Sequence, residues 1–97
     1  MVFCKKIMIE IVWTDYLKYR ANIRSFSLTN IEEIIRYSNE RYFDVSTDRW
    51  VVVGKDSNIL VIIPHEIEGD NVITPITVHA TTRQQINYRV KSGRFIK

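Results

Sequence analysis

Apolar positions along this chain switch between two periods. Ile7-Met8-Ile9-Glu10-Ile11-Val12-Trp13 is β-branched and partly alternating, which predicts a strand. Thr14-Asp15 then has the chemistry of a helix cap. Tyr16, Tyr19, Ile23 and Phe26 recur at i, i+3, i+7 and i+10, so they predict a helix with an aromatic stripe turned into the core. Arg20 and Arg24, one turn apart, flank that stripe. A second helix starts in Ser27-Leu28-Thr29-Asn30, where Thr29 with Glu32, or Asn30 with Glu33, fits a capping box. Leu28, Ile31, Ile34 and Ile35 form its buried face, and the pattern fades near Asn39.

The middle of the chain reads as β. Tyr42-Phe43-Asp44-Val45 is followed by a Ser46-Thr47-Asp48 turn. Trp50 to Val53 stops at Gly54, with turn chemistry in Lys55-Asp56-Ser57-Asn58. Ile59 to Ile63 stops at Pro64. The last two runs are apolar on both faces, which predicts central strands, and the short gaps between runs predict antiparallel hairpins. Residues 65–71 are expected as an acidic loop containing His65 and Glu66. The last strand runs from Ile73 to Ala80, with Ile76 and Val78 on one side and Thr77 and His79 on the other. A final helix opens at Thr81-Thr82-Arg83-Gln84-Gln85, capped by Thr82 with Gln85 or Thr81 with Gln84. Ile86 and Val90 are its apolar residues, with Arg83 close to both on the helical wheel. The order predicts an α+β sandwich with an antiparallel sheet of four to five strands, two N-terminal helices, a C-terminal helix, and helices mostly on one sheet face.

The 97 residues fit one domain, with residues 1–7 as an N-terminal extension if Met8 is the start, and residues 8–95 as the folded unit. The length excludes a large cofactor fold. No apolar run reaches the ~18–20 residues that span a membrane. Cys4 is the single cysteine, so an internal disulfide is excluded, and no Cys/His pair has zinc spacing. A reducing cytoplasm is the expected compartment. Charge placement adds more than the net +3. Residues 1–24 carry five basic and two acidic side chains, residues 25–82 four and nine, and residues 83–97 five and none. If the two basic ends meet, they make a positive patch suited to a polyanion or an acidic protein.

With three scattered glycines there is no phosphate-binding loop, and no third ligand is spaced to join His65 and His79 on a metal. No cofactor is implied. The constellation left is His79, where the last strand runs into the final helix, then Arg83, with Arg49 on or beside a central strand. A helix N-terminus and an arginine both suit a phosphate, and a histidine exchanges protons near neutral pH. Together they suit RNA cleavage, in which a 2′-hydroxyl attacks the adjacent phosphate and arginine stabilises the charge.

Three stretches together resemble the BrnT family of bacterial toxins, small ribonucleases with a RelE-like fold. The first is Trp13-Thr14-Asp15-Tyr16-Leu17-Lys18-Tyr19-Arg20-Ala21-Asn22, similar to a Trp-Asp-x-x-Lys-x-x-x-Asn opening with one extra residue after Trp13. The second is Arg49-Trp50-Val51-Val52-Val53-Gly54 followed by a turn and an apolar strand, similar to the family's Arg-aromatic-aliphatic-Gly hairpin. The third is Ile76-Thr77-Val78-His79-Ala80-Thr81-Thr82-Arg83-Gln84-Gln85 with Tyr88. His79 stands where the family has arginine, Gln85 stands where glutamate is usual, and Tyr88 comes one position early with Arg89 in its place.

The resemblance implies an endoribonuclease that stops translation, is neutralised by an antitoxin protein, and acts on RNA, ribosome-associated mRNA included. By residue it implies phosphate binding at Arg49, proton transfer or phosphate contact at His79, and transition-state stabilisation at Arg83. Lys18 matches the family lysine as an RNA contact. Arg20, Arg24, Tyr88, Arg89 and Lys91 complete the expected RNA-binding set. The departures in the third stretch keep a non-catalytic module that binds RNA or a protein as a second reading. A homodimer lined by Tyr37, Tyr42 and Phe43 is a third.

Overall fold

A computed structural model of the chain describes residues 9–97. Its elements are β1 (Glu10–Ile11), α1 (Asp15–Ile23), α2 (Leu28–Tyr37), β2 (Arg41–Asp44), β3 (Arg49–Asp56), β4 (Ile59–Glu68), β5 (Val72–Pro75), β6 (His79–Ala80), α3 (Arg83–Lys91) and β7 (Phe95–Ile96). They form an α+β fold of three helices on one mixed sheet, ordered β1-β5-β4-β3-β2-β7, with β6 also paired to β4. The sheet has seven strands among the described residues, more than the four to five expected. It is not wholly antiparallel, because β1 runs parallel to β5. The start of the predicted first strand, Ile7 and Met8, lies outside the described residues.

Helix α2 follows its sequence pattern. Ile31, Ile34 and Ile35 are buried, one turn apart, while Leu28 is left at the surface. The cap is Ser27 rather than either capping box, its hydroxyl accepting from the Asn30 amide. Asp56, at the end of β3, accepts from the Ser27 amide and the Asn30 side chain. That carboxylate sits at the positive end of α2 and fixes the helix on the sheet.

Helix α1 overturns its expected stripe. Tyr16, Tyr19 and Ile23 are each more than half exposed, and Leu17 and Ala21 are buried instead. Buried tyrosines would need partners for three-dimensional packing and for their hydroxyls. Leu17 and Ala21 bring the helix close to the sheet without that demand. The helix ends in a turn with Ser25 at φ 61°, and Phe26 folds back onto the core.

Strands β3 and β4 are central and apolar on both faces, as predicted. Val52, Val61 and Ile63 pack with α1 and α2, whereas Val51, Val53 and Ile62 pack with Ile86 of α3 and with Phe95. The helices therefore flank both sheet faces, not mostly one. Strand β3 runs straight through Gly54, where the backbone meets α2. A Cβ there would lie 2.6 Å from Ile34 Cγ1 and 2.8 Å from Cγ2. Gly54→Ala is expected to lower stability by about 1–3 kcal/mol through overpacking, measured by denaturant unfolding.

Strand β4 likewise continues through Pro64, and the expected acidic loop is mostly its second half, with the turn left to residues 69–71. The Pro64 carbonyl accepts from the Ile76 amide, so its amide position, which has no N–H, faces that same side. There the ladder is broken. His65 pairs with Pro75 and Ile62 with His79, so three residues, 76–78, oppose two. This extra residue splits the predicted last strand into β5 and β6 and re-aims its side chains, as bulges do. Val78 enters the core beside α1 and α2, while Ile76 turns to the α3 face with Thr77 and His79.

His65 is consequently not in a loop. It is buried in β4, and its Nδ1 donates to the Ile63 carbonyl at 3.0 Å. Burial holds its pKa below the ordinary 6.5, helped by the nearby Arg41 charge and opposed by that hydrogen bond. The unfolded chain binds the proton more readily, so this histidine's contribution to stability is present above pH ~6.5 and is lost as pH falls through the folded value. We expect the wild-type denaturation midpoint to drop between pH 7.5 and pH 5. His65→Leu should flatten that dependence.

Candidate functional site

The α3 face of the sheet carries a cleft of about 390 Å³. Its floor includes Val51, Ile62 and Pro64, and its rim includes Arg49, His79, Arg89 and Arg94. Each rim residue has a local cause. Arg49 opens β3 directly after the β2–β3 turn. His79 follows the bulge. Arg89 lies in the last turn of α3. Gly93, at φ 86°, takes the left-handed conformation that ends α3, with the Gly93 and Arg94 amides donating to the Val90 and Arg89 carbonyls. The chain then reverses, and β7 pairs with β2. Phe95 stacks on Tyr42 with ring centroids 5.5 Å apart. The Arg89 and Arg94 guanidiniums lie 5.7 and 5.8 Å from the Phe95 ring centre, which holds both at the cleft.

The acids divide these cations into held and available. Arg94 makes two bonds to Asp44, Nε to Oδ1 at 2.8 Å and Nη2 to Oδ2 at 2.9 Å. Burial pushes the Asp44 pKa up, but the Arg94 fork, the Ser46 amide and Thr47 more than offset it, so the carboxyl titrates below its usual value. Arg49 meets Glu66 through Nη2 at 3.2 Å, with the two side chains 38% and 55% exposed. An exposed pair of this kind is worth about 0–1 kcal/mol, so a phosphate can displace the carboxylate. Arg89 has no acidic partner among the described ion pairs.

Cations from both ends of the chain converge on His79. The Arg24 guanidinium donates to its Nδ1 at 3.1 Å and to the Val78 carbonyl at 3.2 Å. Burial lowers the His79 pKa, and the charges of Arg24, Arg20 and Arg89 lower it further. The lowered pKa and the Arg24 bond both favour the neutral ring. Since a guanidinium only donates, Nδ1 accepts and the ring proton sits on Nε2. His79 can thus offer an N–H to an anion.

The remaining expected site residues lie apart from the cleft or at its edge. Arg83 is in a two-bond fork with Glu40, at 2.5 and 2.9 Å, and does not line the cleft. Its bond holds the Glu40 carboxyl below the usual range. Tyr88 is exposed in a hollow shared with Arg89 and Arg94, just outside the rim. Lys91 lies beside Tyr42 and Tyr88 on the outer side of α3. Lys18 sits near Trp13, Leu28 and Glu32 in the α1–α2 layer and pairs loosely with Asp15 at 4.0 Å. Arg20 is stacked on Tyr16 and donates to its hydroxyl at 2.7 Å.

Sequence reasoning counted Arg94 only as charge and missed Thr77, Asp44 and Phe95. A Gly two residues beyond a helical pattern, followed by Arg-Phe-Ile, was the available signal for a chain reversal onto the sheet. Thr77 lines the cleft, and its Oγ1 is buried with no hydrogen-bond partner among the described residues. The described residues contain no group of three or more side chains placed to hold a metal ion, and no helix among them is long and apolar enough to cross a membrane. No family model, curated protein or solved structure matches the chain.

Proposed function

We propose that the protein binds single-stranded RNA in this cleft and cleaves it, acting as a RelE-like, BrnT-like endoribonuclease toxin in the cytoplasm, with an antitoxin protein as its neutralising partner. One observation carries the reading. Arg49, His79, Arg89 and Arg94 come from four separate segments and line one open cleft. Such a set matches a phosphodiester, with the Arg49 and Arg89 guanidiniums for the phosphate oxygens, the His79 Nε2–H as a further donor, and Arg94 held beside them by Asp44. The apolar floor gives a base or ribose a surface to lie on.

In this proposal the 2′-oxygen attacks phosphorus, a 2′,3′-cyclic phosphate forms, and the 5′-oxygen of the next nucleotide leaves. Solvent takes the 2′ proton and supplies one to the leaving oxygen. No metal takes part. The chain's own contribution is to orient the phosphate and to meet the added charge of the phosphorane. Donors placed in this way are each worth about 10²–10³ in rate. Arg83 then acts indirectly, through the Glu40 fork that fixes the start of α3.

A second reading is a module that binds RNA or a protein without cleaving. It is favoured by the Arg24 bond to His79, which occupies the imidazole lone pair needed for a general base. Induced expression separates the two, with growth and total RNA followed for wild type and Arg49→Ala/Arg89→Ala. Growth arrest with RNA cleavage in wild type alone is the expected result. Normal growth with intact RNA in both would leave the binding module.

A further inference from the structure

Helix α1 presents an aromatic and cationic arc that the cleft alone does not use. At about 100° per residue, Tyr19, Ile23, Tyr16, Arg20 and Arg24 follow one another around roughly 140° of its surface. Tyr16, Tyr19 and Ile23 are each more than half exposed. The arc meets the edge of the cleft at one point, where Arg24 bonds to His79, a residue of the cleft rim. Arg20 lies between, its Nε buried without a partner among the described residues.

We infer that the outer face of α1 is a second nucleotide subsite, where Tyr16 and Tyr19 stack the bases of a single strand whose phosphate is held at His79. The occupant is single-stranded RNA, for two reasons. Interleaved tyrosine and arginine suit unpaired bases on a phosphate backbone. The face also joins a cluster of cations around His79, which repels any basic partner and attracts a polyanion. Exposed tyrosines, costly as core residues, are useful here because each offers a flat face at little entropic cost.

This inference rests on the proposed RNA reading of the cleft, and oligonucleotide length separates the two. Non-cleavable 2′-O-methyl RNAs of three and eight nucleotides are titrated by fluorescence anisotropy against wild type, Tyr16→Ala/Tyr19→Ala and Tyr16→Phe/Tyr19→Phe. The alanine variant should bind the octamer at least about tenfold more weakly and the trimer equally well, as expected for lost base stacking. The phenylalanine variant should keep octamer affinity. Equal octamer affinity in wild type and the alanine variant would overturn the subsite and leave the cleft reading standing. Equal losses for trimer and octamer would also overturn it, since the effect would then lie in the cleft or in folding. Absence of wild-type binding to either length would overturn both readings.

Discussion

Arg94→Ala should destabilise the protein by about 3–5 kcal/mol, the usual result of stripping a buried carboxylate of its partner. Asp44 is 3% exposed and depends on the Arg94 fork. The loss is a large fraction of the ~5–15 kcal/mol that holds a domain of this size together. It should appear as a fall of more than ~10 °C in Tm. Two further outcomes tie the effect to the ion pair. Removing both charges in Asp44→Ala/Arg94→Ala should recover part of the loss, because the stranded charge, rather than the missing attraction, is the main penalty. Acid should help the single variant. In wild type the Asp44 pKa is depressed, so its contribution is present above the unfolded value and is lost as pH falls through the folded one. Without the fork, burial is the main influence left on Asp44, so its carboxyl protonates more readily and the deficit against wild type narrows as pH falls from 7 to 4. A deficit independent of pH would assign the loss to packing on Phe95 instead.

Arg49→Ala/Arg89→Ala should weaken binding of a non-cleavable single-stranded RNA by about a hundredfold or more. Hydrogen bonds to charged groups contribute about 1.5–3 kcal/mol each, and Arg49 gives up only an exposed carboxylate to make them. The salt dependence should change as well. Each phosphate contact on a single strand contributes about 0.7 to the slope of log affinity against log salt, so the double variant should lose about 1.4. Neither residue is buried in the core, so the unfolding midpoint should stay near wild type. Arg83→Ala should have a smaller effect on affinity, since its guanidinium is committed to Glu40 outside the cleft. Weaker binding with an unchanged salt slope would mean that these arginines do not meet phosphates.

The parts of this structure legible in the sequence are those where one period dominates. Ile31, Ile34 and Ile35 repeat at helical spacing, and Val51–Val53 and Val61–Ile63 are apolar on both faces because both faces are covered. Reading failed where tertiary pairing overrode local chemistry. Pro64 suggested a strand end, yet its missing N–H falls where the neighbouring strand bulges, so it costs no ladder bond. The aromatic stripe of α1 outweighed Leu17 and Ala21 on paper, although the smaller residues are the ones that fit against the sheet. Strand β7, of two residues, is too short to leave a pattern and exists because Gly93 turns the chain.

The candidate site follows the same division. Arg49, His79 and Arg89 were visible as residues, and the cleft brings them together. Arg83 stood near His79 in sequence, but helix geometry carries it to Glu40. The basic ends of the chain were visible as a charge pattern. That Arg24 and Arg89 both act on His79 depends on the packing of α1 and α3 on opposite faces of one sheet.

The most direct test of the ribonuclease account is cleavage by purified protein of a 2′-O-methyl RNA series, each member carrying a single ribose at one position. The account predicts cuts only at the ribose, a 2′,3′-cyclic phosphate on the 5′ product, and loss of cleavage in Arg49→Ala/Arg89→Ala. Tight binding of every member by wild type with no cut at any ribose would contradict it, and would establish the cleft as a binding site alone.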